Sequence, residues 1–144
     1  MAETAEEKAI VSLMEEWQRL EDEIVEATGK TLEKASSPLV RVMMEIIQHD
    51  SRLHRHIEQI IIDSLEKKSI DVPEEELKAL WDSIDKHAQL ERRSVEIAEK
   101  SLEAIGGASR TVPQHYLISY LLDDEKKHEK ILGSLALLKK ELYG

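Results

Sequence analysis

Three proline-marked joints constrain this chain more than any other feature. Ser36-Ser37-Pro38, Asp71-Val72-Pro73-Glu74 and Thr111-Val112-Pro113-Gln114 each set a capping side chain two residues ahead of a proline. The last two add the Glu or Gln that completes a capping box. Thr4-x-x-Glu7 offers a fourth box near the start, and Gly106-Gly107 supplies a helix stop. Proline and glycine otherwise fall inside a segment only at Gly29 and Gly133. Four helices follow, over 4–35, 37–67, 72–105 and 112–142. The first is read through Gly29 because Leu32 continues the stripe of Leu13, Trp17, Ile24 and Thr28, and an interior glycine costs only ~1 kcal/mol.

Short joints dictate the connectivity. A helix of this length spans roughly 45 Å, and a few residues at ~3.5 Å each cannot return along it. Sequential helices must therefore run antiparallel, and the expected fold is all-α: one up-down-up-down, antiparallel four-helix bundle of ferritin-like type. The 144 residues suffice for a single domain with a core, and their abundance of Leu, Ile, Glu, Lys and Ala favours helix.

Composition removes several functions. A formal net charge of -10 opposes binding to nucleic acid or to an anionic membrane surface. The absence of Cys excludes disulfides, thiolate catalysis, iron–sulfur clusters and Cys-ligated zinc. No apolar run approaches the ~18 residues of a membrane span, and the acidic start is unlike a signal peptide, so the expected location is cytoplasmic.

Each helix interrupts its apolar stripe with ionisable groups. At roughly 100° per residue, Glu125 falls beside Leu122 and Ile118, and His128 beside Leu132. Asp50 sits at the centre of the arc of Leu39, Met43, Ile46, Ile47, Leu53, Ile57, Ile61 and Leu65, with His54 next to it. Glu91 centres the arc of Leu77, Leu80, Ile84, Val95 and Ala98, flanked by His87. Glu21 shares the arc of Met14, Trp17 and Ile24, whereas Glu16 lies ~100° from Trp17. His49, His56 and His115 fall on outer faces, and Trp17 reads as core.

Counting from the helix ends places Asp50, Glu125, Glu91 and Glu21 in one layer, and His54, His128 and His87 in the next, ~6 Å away. Buried unpaired, these groups would cost several kcal/mol each. A metal removes that cost, and oxygen with imidazole ligands and no thiolate suits iron, manganese or zinc. The expected ligands are Glu125, His128, Glu91, His54 and His87, with Asp50 and Glu21 completing a second position.

With those residues in place, the chain resembles the ferritin-like superfamily, nearest to rubrerythrin-related proteins. Leu121-Leu122-Asp123-Asp124-Glu125-Lys126-Lys127-His128 is similar to the family's last-helix motif, and His87-Ala88-Gln89-Leu90-Glu91 to its third-helix segment. Where the family's second helix carries Glu three residues before His, this chain has Ser51, which leaves the oxygen to Asp50 or helix 1. The short joint between helices 2 and 3 replaces the family's long crossover, and an antiparallel bundle with several His ligands is also similar to hemerythrin. The resemblance implies a di-iron centre that reacts with peroxide or dioxygen, or handles iron. Without Cys, such a cycle draws on an external electron donor. Two other classes stand beside it: a non-catalytic metal-stabilised bundle, and a structural or interaction bundle whose polar layer fixes register. Finally, the run Ile60-Ile61-Ile62, with Ile62 ~120° from the core centre, and the off-arc Tyr120 and Leu138 predict a homodimer.

Overall fold

Thr4 opens the first helix as its spacing requires. Its hydroxyl accepts from the Glu7 amide at 3.1 Å, and the Glu7 carboxylate accepts from the Thr4 amide at 2.9 Å. The computed structural model describes residues 3–67, 70 and 73–143. Among them are four α-helices and no strand: α1 (Ala5–Lys34), α2 (Pro38–Glu66), α3 (Glu74–Ile105) and α4 (Val112–Tyr143). The fold is all-α, and α1 runs straight through Gly29. No helix among the described residues is long and apolar enough to cross a membrane.

The joints use different chemistry from the one their side chains suggest. Ser37 caps α2 by backbone position alone, with Pro38 opening the helix. The end of α1 is closed instead by Arg41, whose Nη1 donates to the carbonyls of Leu32 and Ala35 at 2.8 and 2.9 Å. Gly106 ends α3 at φ 67, a conformation that suits residues without Cβ. Thr111 belongs to a short 3-10 turn (Ser109–Thr111), and its hydroxyl donates back to the Ala108 carbonyl at 2.8 Å rather than capping α4. The expected cap Asp71, the start of helix 3 at Val72 and the Lys68 end of helix 2 lie outside the described residues.

The chain divides into two compact units, Met1–Asp71 and Val72–Gly144. Each is a helical hairpin. In the first, partners of Gln18, Glu21, Val25 and Leu32 are Gln59, His54, Gln48 and Arg41, so the two helices run antiparallel. In the second, Lys139 stacks over Trp81 while His128 meets Glu91, which again requires antiparallel helices.

The seam of the first hairpin is unusually polar. The residues of α1 that α2 buries are Val11, Gln18, Glu21 and Thr28, and those of α2 are Ser51, Glu58 and Ile62. Gln18 Nε2 donates to the Arg55 carbonyl at 3.2 Å and to Gln59 Oε1 at 3.0 Å; Gln48 Nε2 donates to the Val25 carbonyl at 3.2 Å. The expected apolar stripe stays open: Leu13 and Trp17 are 59% and 50% exposed. Trp17 is thus not core in this hairpin. A pair of helices shields only the narrow three-four seam between them, and a wider apolar arc remains uncovered. Ile62, expected on an outer face, is buried on that seam, which removes it from the argument for a dimer.

Candidate metal centre

In the second hairpin, α3 presents Glu91 from its buried face and α4 presents Glu125 and His128 one turn apart. One ligating atom from each lies within 4.8 Å of the other two, the metal-compatible group found among the described residues. His128 Nδ1 is 3.3 Å from Glu91 Oε1 and 3.8 Å from Glu125 Oε2. Its Nε2 is 3.4 Å from Asp124 Oδ2, so the ring lies between a carboxylate on its own helix and the pair on the seam.

His87 occupies a different place from the one its spacing suggests. It sits outside the three-residue group, one helical turn from Glu91. In the tautomer with the proton on Nε2 it donates to Glu91 Oε1 at 2.9 Å. His87 thus meets the same Glu91 oxygen that lies 3.3 Å from His128 Nδ1. His87, Glu91 and His128 also line a recess of about 240 Å³ with Ile131 and Leu132, which gives the cluster an apolar approach.

The two carboxyl groups perturb each other. Glu125 is raised from its ordinary value of 4.5, first by its hydrogen bond to Glu91 and then by burial and by the Glu91 charge. Glu91 is lowered, first by the same hydrogen bond, with His87 and His128 adding to it. The hydrogen bond, burial and the neighbouring charge thus favour a proton on Glu125, while Glu91 favours its ionised form. With both groups ionised no donor lies between them, and Glu91 Oε2 is buried with no hydrogen-bond partner. A proton or a cation is what that oxygen lacks.

The first hairpin builds a second cluster. Glu21 Oε1 is 3.4 Å from His54 Nδ1, and Glu58 is buried on the same seam, four residues beyond His54. Glu58 is raised above 4.5, chiefly by burial and then by the Glu21 charge. Glu21 Oε2 and Glu58 Oε1 both lack a hydrogen-bond partner.

Asp50 is the expected ligand that this cluster leaves aside. Its carboxylate lies 3.7 Å from His49 Nδ1 on a side chain that is 40% exposed. The physical reason is angular: Ser51 is the seam residue, and Asp50 is ~100° around the helix from it. Glu21 accordingly meets His54 directly rather than standing one layer away from it. Sequence reasoning missed Glu58. The signal that finds it is His-x-x-x-Glu, which places both groups on one helical face and occurs twice, as His54…Glu58 and His87…Glu91. His56 is exposed as expected, and so is His115, whose Nδ1 lies 3.5 Å from Ser119 Oγ.

No family model, no curated protein and no solved structure matches this chain.

Proposed function

We propose that this chain is a metal-binding helical protein whose second hairpin holds a cation through Glu91, Glu125 and His128. The observation that carries the reading is the convergence of those three ligating atoms within 4.8 Å, from two helices, with Glu91 buried and Glu125 and His128 half-buried. The unpartnered Glu91 Oε2 fits it, because a cation between the carboxylates would supply the charge that the protein does not. The donor set of two carboxylates and one imidazole suits iron, with manganese or zinc as alternatives.

The finer reading is a ferritin-like, antiparallel four-helix bundle with a di-iron centre. Its support is that each hairpin leaves apolar residues uncovered, among them Leu13, Leu53, Leu90 and Leu121, and helices bury such faces by packing on further helices. Bound iron would supply electrons to peroxide or dioxygen, and an external donor would restore them. The residues of the chain have plainer tasks. Glu91 and Glu125 would neutralise charge, His87 would orient Glu91, and Ile131 and Leu132 line the recess beside them.

A second reading is a hydrogen-bonded register device, favoured by the two imidazoles that already meet Glu91 Oε1. Chelator-free protein is loaded with ferrous, manganous or zinc ions, desalted and analysed for bound metal. Metal above background supports the metal site, and its absence leaves the register device. An absorbance change on adding peroxide or dioxygen to the ferrous form then separates redox chemistry from metal-stabilised structure.

A further inference from the structure

We infer that the outer face of α4 docks a second copy of this chain, whose own α4 lies antiparallel so that Asp124 of each copy meets Lys127 of the other. The second half of α4 is apolar all round. Leu132 and Leu135 are half-buried, while Ile131, Leu137, Leu138 and Leu142 are 42–57% exposed. A helix that is apolar round its circumference packs on more than one side. Leu132 marks the side that α3 covers, because it lines one recess with Trp81 and Ile84 and another with His87 and Glu91. Tyr120, Ile131 and Leu138 lie roughly 100–120° around α4 from it. A bundle built on the arc of Ile118, Leu122 and Leu132 leaves that face uncovered.

The face carries its own matched charges. Asp124 and Lys127 sit in its middle, 2.9 Å apart. Exposed Tyr116 and half-buried Tyr120 extend from them toward the start of α4, and exposed Ile131 and Leu138 toward its end. A helix laid antiparallel on its copy pairs residues whose numbers have a constant sum. With Asp124 opposite the second copy's Lys127, Tyr120 falls opposite Ile131 and Pro113 opposite Leu138. Each pairing then occurs twice, as an isologous contact requires. Four charges of alternating sign form the centre, with aromatic and aliphatic pairs outside them. An in-register parallel pairing would instead set Asp124 against Asp124 and Lys127 against Lys127. The overlap from Pro113 to Leu138 is ~38 Å of helix. A single helix pair is at the small end of specific interfaces, so the dimer is reversible and concentration-dependent. No residue of the proposed cation site takes part, and the inference does not rest on it.

The test is sedimentation equilibrium of the full chain in chelator, over a range of concentrations. We expect a monomer–dimer equilibrium. Lys127→Glu sets four acids at the centre and should raise the dissociation constant at least ~10-fold, as like charges across an interface do. Leu138→Glu should do the same. Adding Asp124→Lys to Lys127→Glu reverses both charges and should restore association. Leu20→Glu, on α1, should leave it unchanged. The inference is overturned by a monomer at every concentration, by a folded charge-reversed double variant that does not associate, or by loss of the dimer in Leu20→Glu but not in Leu138→Glu.

Should a charge variant not fold, cysteine trapping reads the register in its place, since the chain contains no Cys. Tyr120→Cys/Ile131→Cys should give a covalent dimer on mild oxidation. Within one chain those positions are ~16 Å apart along the helix, too far to bridge. Tyr120→Cys/Leu138→Cys, which the register keeps apart, should give none. Equal trapping in both variants, or none in the first, overturns the inference.

Discussion

Glu125→Gln should move the metal-free and metal-loaded proteins in different directions. Without metal, the carboxamide can donate to Glu91 as a protonated Glu125 would, and it cannot ionise beside that carboxylate. The metal-free melting temperature should therefore stay level or rise slightly. With metal at about a hundred times its dissociation constant, the parent chain gains ~2.7 kcal/mol. At roughly 2–4 °C per kcal/mol for a chain of this length, that is a shift of about 5–11 °C. Losing one of the three ligands weakens binding by at least ~100-fold, taking outer-partner losses as the lower bound. At the same metal concentration the gain then falls to ~0.4 kcal/mol, or a shift of about 1–2 °C. The assay is a pair of thermal melts by circular dichroism, with chelator and with excess zinc. A Glu125→Gln protein that keeps the full metal-dependent shift would refute the ligand assignment. One that melts several degrees lower in chelator would refute the account of a proton favoured on Glu125.

The same groups set a pH dependence whose sign is fixed. Glu58 and Glu125 have folded values raised above 4.5, so the stability they contribute is complete below that pH and is lost as pH rises through those values; Glu91 is lowered, and its share is lost only as pH falls below 4.5. In chelator, the difference in melting temperature between Glu125→Gln and the parent should accordingly widen from pH 4.5 toward neutrality; a narrowing difference would contradict the sign. Metal uptake should run the opposite way and rise with pH, because the ligands bind deprotonated; pH-stepped dialysis reads it. Gly29→Ala should stabilise by ~0.5–1 kcal/mol, since a Cβ there meets only Gln48 Nε2 at 3.7 Å inside a regular helix; a denaturant melt that shows destabilisation would refute this. His56→Ala and His115→Ala should change neither metal content nor melting temperature, and a metal loss in either would redraw the site.

The helix extents were legible because their signals are local. Thr4 with Glu7, Pro38 and Gly106 act within a turn of themselves, and Leu32 correctly argued that Gly29 would not break α1. The antiparallel order within each hairpin followed from joint length. The side-chain partners were less legible, because angular bookkeeping finds the centre of an apolar arc and not the seam that a partner helix covers. Asp50 and Trp17 sit at or near such centres, while Ser51, Glu58 and Gln18 occupy the seam. Ile62 illustrates the same offset, reading as outward on the arc yet buried against α1. Glu91, Glu125 and His128 were found because there the centre and the seam nearly coincide.

That offset changes what the buried carboxylates mean. A Glu at the centre of an apolar arc could be an anomaly of one helix, but Glu21, Glu58 and Glu91 lie where a neighbouring helix must come close. Three remedies exist for a carboxylate pair on such a seam: a basic side chain, a proton or a metal ion. Two of the nearest basic side chains are engaged elsewhere, Arg55 with Asp22 and Lys127 with Asp124, each at 2.9 Å. A proton can serve one member of each pair, and burial beside Glu21 raises Glu58 in that direction as the hydrogen bond to Glu91 raises Glu125. The proton does so at a cost of about 1.4 kcal/mol for every pH unit above the group's own pKa. It also leaves the imidazoles of His54 and His128 beside carboxylates whose charge it has partly removed. A cation uses all of these groups together, with both carboxylates ionised and the imidazole neutral. The arrangement occurs once in each hairpin, as His-x-x-x-Glu facing a carboxylate from the other helix. In the second hairpin the ligating atoms of Glu91, Glu125 and His128 converge within 4.8 Å, and that convergence is what the proposed cation site rests on.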